Sequence, residues 1–374
     1  MAYPEEISTF IEENIQDRPT DLARKVLRLY PNFDVKETNL RRTISHRKSK
    51  VLSAIKDHST KHGVDSKNVS ALWIKDKESS ILVRNPELSE DFQAKFKEEL
   101  LESIKDHSPN YVSIIREKSK DGHLLVLDPA DIHIGKLCDS FESGEDYNNE
   151  IAVQRVLEGV DGIIQKSNGF NIDKILFIGG NDILHIDTPD RKTTSGTSQD
   201  TCGMWYTNFL KAKKLYVDLI DKLINIADVH FTFNPSNHDY VHGFFLAQVI
   251  ETHYANCDNI TFDCSIAHRK GFKYGSNLIG TTHGDGAKAQ DLPLLMAQEF
   301  PKWWGNTKHR YVYTHHVHHK TSKDYIGVTV ESLRSPSATD SWHHRKGFQH
   351  SPQAVEGFIH HKDFGQIARL THIF

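Results

Sequence analysis

The apolar residues change their spacing near residue 121, and the chain reads as two kinds of structure on either side of that point. Before it, helical intervals prevail. Leu22, Val26, Leu27 and Leu29 form a stripe that begins after Pro19 and stops before Pro31. Proline suits a first helical turn, where its missing N–H is not needed, and it cannot continue a helix. Leu40, Ile44, Val51 and Leu52 predict a further helix. Residues 70–84 read as a hairpin, two β-prone runs around a polar turn over 76–80. Phe92, Phe96, Leu100 and Ile104 then predict a connecting helix that starts at Ser89 and ends by Pro109. Ser89 is a good N-cap, and Glu90 and Asp91 match the positive end of the helix dipole.

Beyond 121 short apolar runs dominate: 124–127, 175–178, 229–233, 277–280 and 310–313, several rich in β-branched or aromatic residues. Helical stretches at 151–164, 206–226 and 244–254 separate some of them. Alternating strands and helices predict an α/β domain with a sheet covered on both faces and with function in the loops at strand ends. The expected divisions are 1–60 (helical), 61–118 (hairpin and connecting helix) and 119–374 (catalytic).

A net charge of −4 over 374 residues excludes a protein that coats nucleic acid by bulk charge. A local patch remains open. Between Asp17 and Asp57 eleven Lys/Arg stand against five Asp/Glu. Helix, turn and basic helix is the outline of a helix-turn-helix, so a DNA-binding role is expected there, with a solvated basic helix as the plainer alternative. The four cysteines form no CxxC pair, which points to reduced thiols in a cytoplasmic protein. Glu5 and Glu6 stand where a signal peptide needs positive charge, and no apolar run approaches a membrane span, so no membrane partner is expected. Histidine is the unusual residue, with 24 copies, eight of them between His309 and His350.

Five segments gather metal-capable side chains: Asp131-Ile-His133, Gly180-Asn-Asp182-Ile-Leu-His185, Ser236-Asn237-His238-Asp239, Thr282-His283-Gly-Asp285, and His315-His316-Val-His318. Four of them follow an apolar run. A lone D-x-H is usually structural, and a histidine run alone can be a surface tract. Five in order are hard to produce by accident. A carboxylate can bridge two cations through its two oxygens. Imidazoles and a neutral amide oxygen complete a mixed N/O set, which suits Mn, Fe or Zn better than Mg or Ca.

The ordered set resembles the calcineurin-like metallophosphoesterase superfamily, whose segments run D-x-H, G-D-x-x, G-N-H-D/E, H and G-H-x-H; the match covers about residues 121–345. The resemblance implies a β-sandwich flanked by helices and two divalent cations, manganese first, with iron, zinc and magnesium as alternatives. By carry-over, Asp131, His133, Asp182 and His318 would hold one cation. Asp182, Asn237, His283 and His316 would hold the other. His238 matches the family's catalytic histidine and Asp239 the acid that orients it. The pattern departs from the family's by the inserted Asn181 and by Ser236 and His315 in place of glycines. His185 stands in support of the site, as in the G-D-L-F-H form of the double-strand-break repair nucleases. The segment from Thr188 to Trp205 is similar to phage and prokaryotic phosphoesterases, which implies phage origin in a bacterial host.

Two cations roughly 3.5–4 Å apart would make water a nucleophile at neutral pH, with His238 to protonate the leaving alkoxide. Arg191, Lys192, Arg345 and Lys346, interspersed with Trp303, Trp304 and Trp342, would fit a channel that tracks phosphates and stacks bases. A DNA nuclease is therefore the leading expectation, with a homo-oligomer or a DNA-processing partner in view. The alternatives are a phosphoesterase on nucleotides or other small esters, and a DNA-binding regulator with weak activity.

Overall fold

Pro19 occupies the first turn of a helix, and Pro31 lies just past its end, in the computed structural model, which describes residues 3–15, 17–61, 71–75, 80–84, 109–117, 119–347 and 351–374. The chain divides into two compact units, Met1–Asp106 and His107–Phe374.

In the first unit, α1 (Glu5–Glu13), α2 (Pro19–Leu29) and α3 (Glu37–Lys61) precede an antiparallel pair, β1 (Ala71–Lys75) and β2 (Ser80–Arg84). Ile7, Ile11, Leu22, Ala23, Val26, Leu40 and Ile44 close one core between the helices. On α3 the buried stripe continues at Ile55, while Val51 and Leu52 are only half-buried. The connecting helix expected from Ser89 to Ile104 lies outside the described residues, as does the hairpin turn.

The second unit runs β3 (His123–Asp128), α4 (Ser140–Ser143), α5 (Asn149–Lys166), β4 (Ile172–Gly180), α6 (Trp205–Ile224), β5 (Asp228–Asn234) and α7 (Tyr240–His253). It continues through β6 (Ile260–Asp263), β7 (Lys270–Tyr274), β8 (Asn277–Thr281), α8 (Leu292–Glu299), α9 (Pro301–Gly305) and β9 (His309–Thr314). It ends with β10 (Thr321–Tyr325), β11 (Val328–Ser332), α10 (Ser341–Lys346), β12 (Ala354–His361) and β13 (Gly365–Ile373). The strands form two mixed sheets, ordered β13-β12-β3-β4-β5-β6 and β10-β11-β9-β8-β7. Within them β3, β4 and β5 are parallel, as are β8 and β9.

Side-chain alternation decides the layering. Leu125, Leu127, Ile175, Phe177, Val229 and Phe231 point into a core with Val156 and Val160 of α5, Leu219 of α6 and Leu246 of α7. Their alternate neighbours Leu124, Val126, Leu176 and Ile178 meet Ile279 and Tyr313 of the other sheet. Leu278 and Val312 face away from that seam, towards Leu292 and Met296 of α8. The order is therefore helices, sheet, sheet, helix. The sheet expected to be covered on both faces is covered by helices on one face and by a second sheet on the other, a two-sheet sandwich flanked by helices. The second sheet was half hidden because β10 carries exposed polar residues and β7 only a few apolar ones.

Strand β12 carries a fully buried carboxylate, Glu356, which bonds Arg334 at 2.9 Å and Arg369 at 2.8 Å. Arg369 also pairs with buried Glu331. Removing the central charge leaves two guanidinium groups facing an apolar gap. Glu356→Ala is expected to cost about 3 kcal/mol in urea unfolding; a change below about 1 kcal/mol would show the network to be well hydrated. Among the described residues, no helix is long and apolar enough to cross a membrane.

Candidate metal centre

All five metal-capable segments leave the C-terminal ends of parallel strands. Asp131 and His133 follow β3, Asp182 and His185 follow β4, and Asn237 to Asp239 follow β5. His283 follows β8, and His315 to His318 follow β9. Strand ends that point the same way bring their loops to one edge, the usual place for a site in such sheets. The loops are stitched together by main-chain bonds. Asp131 N donates to Asn181 O at 2.8 Å, His133 N to Asp182 O at 2.9 Å, and His315 N to His283 O at 2.8 Å.

The backbone here adopts conformations that L-residues avoid. Asp131, His133, Asp182, His316 and His318 have φ of 52°, 52°, 59°, 72° and 56°, and Asn181 joins them at 51°. Arg191 is the one remaining non-glycine residue with positive φ among the described residues. Such strain, of order 1–3 kcal/mol per residue, persists where the surroundings fix it and clusters at functional sites. Gly180, at φ 78°, must be glycine: a Cβ would sit 2.2 Å from the carbonyl oxygen of Asn234.

The side chains form two groups around Asp182. Asp131, His133 and His318 bring their ligand atoms together, and so do Asp182, His283 and His316. Asp182 Oδ2 lies 3.2 Å from His283 Nε2 and 4.0 Å from His133 Nε2, so one carboxylate oxygen reaches both groups. Its Oδ1 accepts from the His238 backbone N–H at 3.0 Å. Asn237 Oδ1 stands 2.9 Å from His283 Nε2, within the second group. All the residues assigned by carry-over to the two cations are thus brought together.

The electrostatics suit cations. Burial and the neighbouring His238 hold His133 well below the ordinary histidine range, so the neutral ring has one nitrogen free to ligate. His133 Nε2 nonetheless faces His318 Nε2 at 3.3 Å, and Asp131 Oδ1 is buried with no hydrogen-bond partner. Acceptor atoms crowded together in this way are unfavourable unless a positive charge sits among them. Burial works against the charge on His283, but the Asp182 carboxylate outweighs it and lifts the imidazole to about 9. Burial would likewise raise Asp182, and the charge of His283 holds it below the ordinary carboxylate range instead. The proton on His283 occupies the place that a cation would take by displacement.

Around these groups lie His238, His185 and Asp239, with Ser236 and His315 beside them. His238 Nδ1 donates to the carbonyl of His185 at 2.9 Å, which leaves Nε2 as its free nitrogen. The His185 ring stacks on His238 at 5.2 Å and 22°. Asp239, expected to orient His238, does not do so: it is buried, accepts from Ser236 Oγ at 2.6 Å and from Leu184 N at 2.9 Å, and so braces the loops. Burial, then the charge of Asp182, pushes its carboxyl up to about 7. Ser236, in the position of a glycine in the pattern, also accepts from Asp182 N at 2.7 Å. His315 is buried with Nε2 3.4 Å from Asp128 Oδ1, beneath the site. His133, His185 and His238 form a third ligand-capable group, which shares His133 with the first.

The basic residues stay outside the cage. Arg191 and Lys192 are exposed in the loop after Asp187, and Arg345 and Lys346 are exposed on α10. Trp303 is partly exposed and stacked on Phe300, whereas Trp304 lies under the guanidinium of Arg310 at 4.1 Å. Trp304 belongs to the packing around α8 and α9, whereas Trp303 keeps an exposed flank.

No protein-family model and no curated protein matches this sequence. Among solved structures the chain is similar to an archaeal phosphodiesterase, at 9% identity over 67% of this chain and 99% of that one, with a TM-score of 0.32. It is similar to zinc-complexed Vps29 from Entamoeba histolytica, at 11% identity over 67% and 98% of the two chains, TM-score 0.29. It is also similar to a predicted phosphoesterase from Streptococcus pneumoniae, at 11% over 69% and 99%, TM-score 0.24. Likenesses this distant leave the site's own geometry as the evidence for its chemistry.

Proposed function

We propose that the second unit is a calcineurin-like metallophosphoesterase that uses two divalent cations to hydrolyse phosphodiester bonds, with DNA as its substrate. The observation that carries this reading is the pair of three-ligand groups, one containing Asp182 and the other approached by its Oδ2, 4.0 Å from His133 Nε2. Asp131, His133, Asp182 and His318 would hold one cation, and Asp182, Asn237, His283 and His316 the other. The mixed nitrogen and oxygen set favours manganese, iron or zinc. When bound, such a pair supplies Lewis acidity at the phosphoryl oxygens and an activated water.

The chain's own residues supply the rest. Asp182 fixes the loop of His238 through its backbone N–H. The carbonyl of His185 fixes the ring and directs Nε2 away from that bond. From there a protonated Nε2 can give its proton to the departing sugar oxygen, which needs it because an alkoxide is a poor leaving group. Asp239 and Ser236 act at one remove by holding the loops after β4 and β5 in register.

DNA rather than a small ester is favoured by the basic segment from Asp17 to Asp57, where eleven Lys/Arg stand against five Asp/Glu. Arg24, Lys25 and Arg47 are engaged with Glu37, Asp17 and Glu12, but Arg41, Arg42 and Lys50 are exposed on α3. If that helix meets phosphates, changing these three to glutamine should lower the slope of log K against log salt by about 0.9 per lost contact on duplex DNA. An unchanged slope would return α3 to a packing role.

The reading as a whole is tested by incubating purified protein in Mn²⁺ with single-stranded DNA, duplex DNA, a nitrophenyl diester and a nitrophenyl monoester. Hydrolysis of DNA and the diester, abolished by chelation, is the expected result. Turnover of the monoester alone would move the substrate to small phosphate esters.

A further inference from the structure

A buried lysine links the two loops that carry Asp131, His133 and His318, three of the four ligands assigned to the first cation. Lys136 is 1% exposed and lies three residues past His133, to whose carbonyl its backbone N–H donates at 2.9 Å. Its Nζ donates to the carbonyl of Ala338 at 2.7 Å and stands 3.0 Å from Asp340 Oδ2. Asp340 caps α10: its Oδ1 accepts from the His343 backbone N–H at 2.8 Å and lies 2.7 Å from His343 Nδ1. The His343 ring then stacks on His318 at 5.2 Å and 18°. His318 Nε2 faces His133 Nε2 at 3.3 Å, which closes the circuit where it began.

The same stretch of chain is tied down a second time, where Ser335 Oγ donates to the Asp131 carbonyl at 2.7 Å. The circuit contains none of Asn237, His283 and His316, which belong to the other cation alone. Lys136, Asp340 and His343 also lie outside all five metal-capable segments.

A lysine buried this completely is costly unless its charge is matched. Here one carboxylate matches it and fixes both the backbone and the ring of His343. Ligating histidines are ordinarily oriented by a hydrogen bond at the nitrogen that does not ligate. His318 approaches Asp131 and His133 through Nε2, and among the described residues none holds its Nδ1. The parallel ring of His343 takes that part. We infer that Lys136, Asp340 and His343 form a brace that orients His318, strengthening the first cation site while leaving the second alone. They are positioning residues, and the inference rests on the two-cation reading.

The test titrates the chelator-treated full chain with Mn²⁺ by equilibrium dialysis, beside His343→Ala, His343→Phe and Asp340→Asn. His343 is a quarter exposed, so its replacement spares the buried core. His318→Ala marks which binding step belongs to the first cation. His343→Ala should weaken that step about ten-fold, as expected for a residue behind a ligating histidine, and leave the other step unchanged. His343→Phe keeps a flat ring against His318 and should recover part of the loss. Asp340→Asn should weaken the same step, and its loss should not add to that of His343→Ala, because both act through one ring. In the His318→Ala background, His343→Ala should have no further effect. Equal weakening of both steps would show a general loosening, and an unmoved first step in both His343→Ala and Asp340→Asn would reduce the circuit to packing. Either result overturns the brace alone. Wild-type protein that takes up no Mn²⁺ would instead defeat the two-cation reading and the brace with it, a failure visible before any variant is compared.

Discussion

Asp182→Ala is expected to abolish metal-dependent hydrolysis and to strip both cations from the protein. One oxygen of this carboxylate lies 3.2 Å from His283 Nε2 and 4.0 Å from His133 Nε2, so its loss removes a ligand from each group at once. The other oxygen accepts from the His238 backbone, so the loop that carries His238 loses its anchor as well. A loss of more than about a thousand-fold in kcat/KM, or about 4 kcal/mol, is anticipated. Asp182→Asn is the informative companion. Its amide oxygen can still accept from His238 N, but it offers no charge to two cations, so it should fold and remain nearly as inactive. Metal content by plasma mass spectrometry, with circular dichroism to check the fold, decides the matter. Near-normal turnover with full occupancy in Asp182→Ala would remove Asp182 from the bridge.

His238→Ala should behave differently. Both cations should remain, and hydrolysis of DNA should slow by roughly 10²–10⁴ if the residue acts as a general acid. The ring is held at Nδ1 by the carbonyl of His185 and is stacked on the ring of His185, so Nε2 is the nitrogen left to give a proton. A nitrophenolate leaves without protonation, so the defect should shrink on the nitrophenyl diester. The structure also sharpens the rival account, because His238 shares a ligand-capable group with His133 and His185. If that group holds a cation of its own, the variant should lose metal and suffer equally on both substrates. Measuring metal and both rates on one preparation separates the accounts.

The convergence of these side chains was legible because its signal is local: a metal-capable residue just past a run of β-formers, repeated at β3, β4, β5, β8 and β9. The helices after β4 and β5 were legible through their apolar period and fall within a few residues of the expected bounds. The second sheet was harder. Its strand β10 is polar, and β12 and β13 at the edge of the six-stranded sheet carry His, Glu and Arg, among them Glu356, which is satisfied by the distant Arg334. No spacing rule reveals such a pairing. Asp239 shows the same limit from the other side. Its place beside His238 in sequence suggested a side-chain contact, but a residue at the start of a helix points where the backbone sends it, and here that is towards Ser236 and Leu184. Asp187 and Asp340 had no motif at all. They are meaningful because of what they hold, His242 and His343, and those partners are 55 and three residues away.

The central claim, that this edge of the sheets holds two cations around Asp182, is tested most directly by titrating chelator-treated wild-type protein with Mn²⁺ and counting bound ions per chain by equilibrium dialysis and plasma mass spectrometry. Two ions per chain are expected, with hydrolysis appearing as the second binds. Saturation at a single ion with full activity, or two ions that bind equally well to Asp182→Ala, would contradict it.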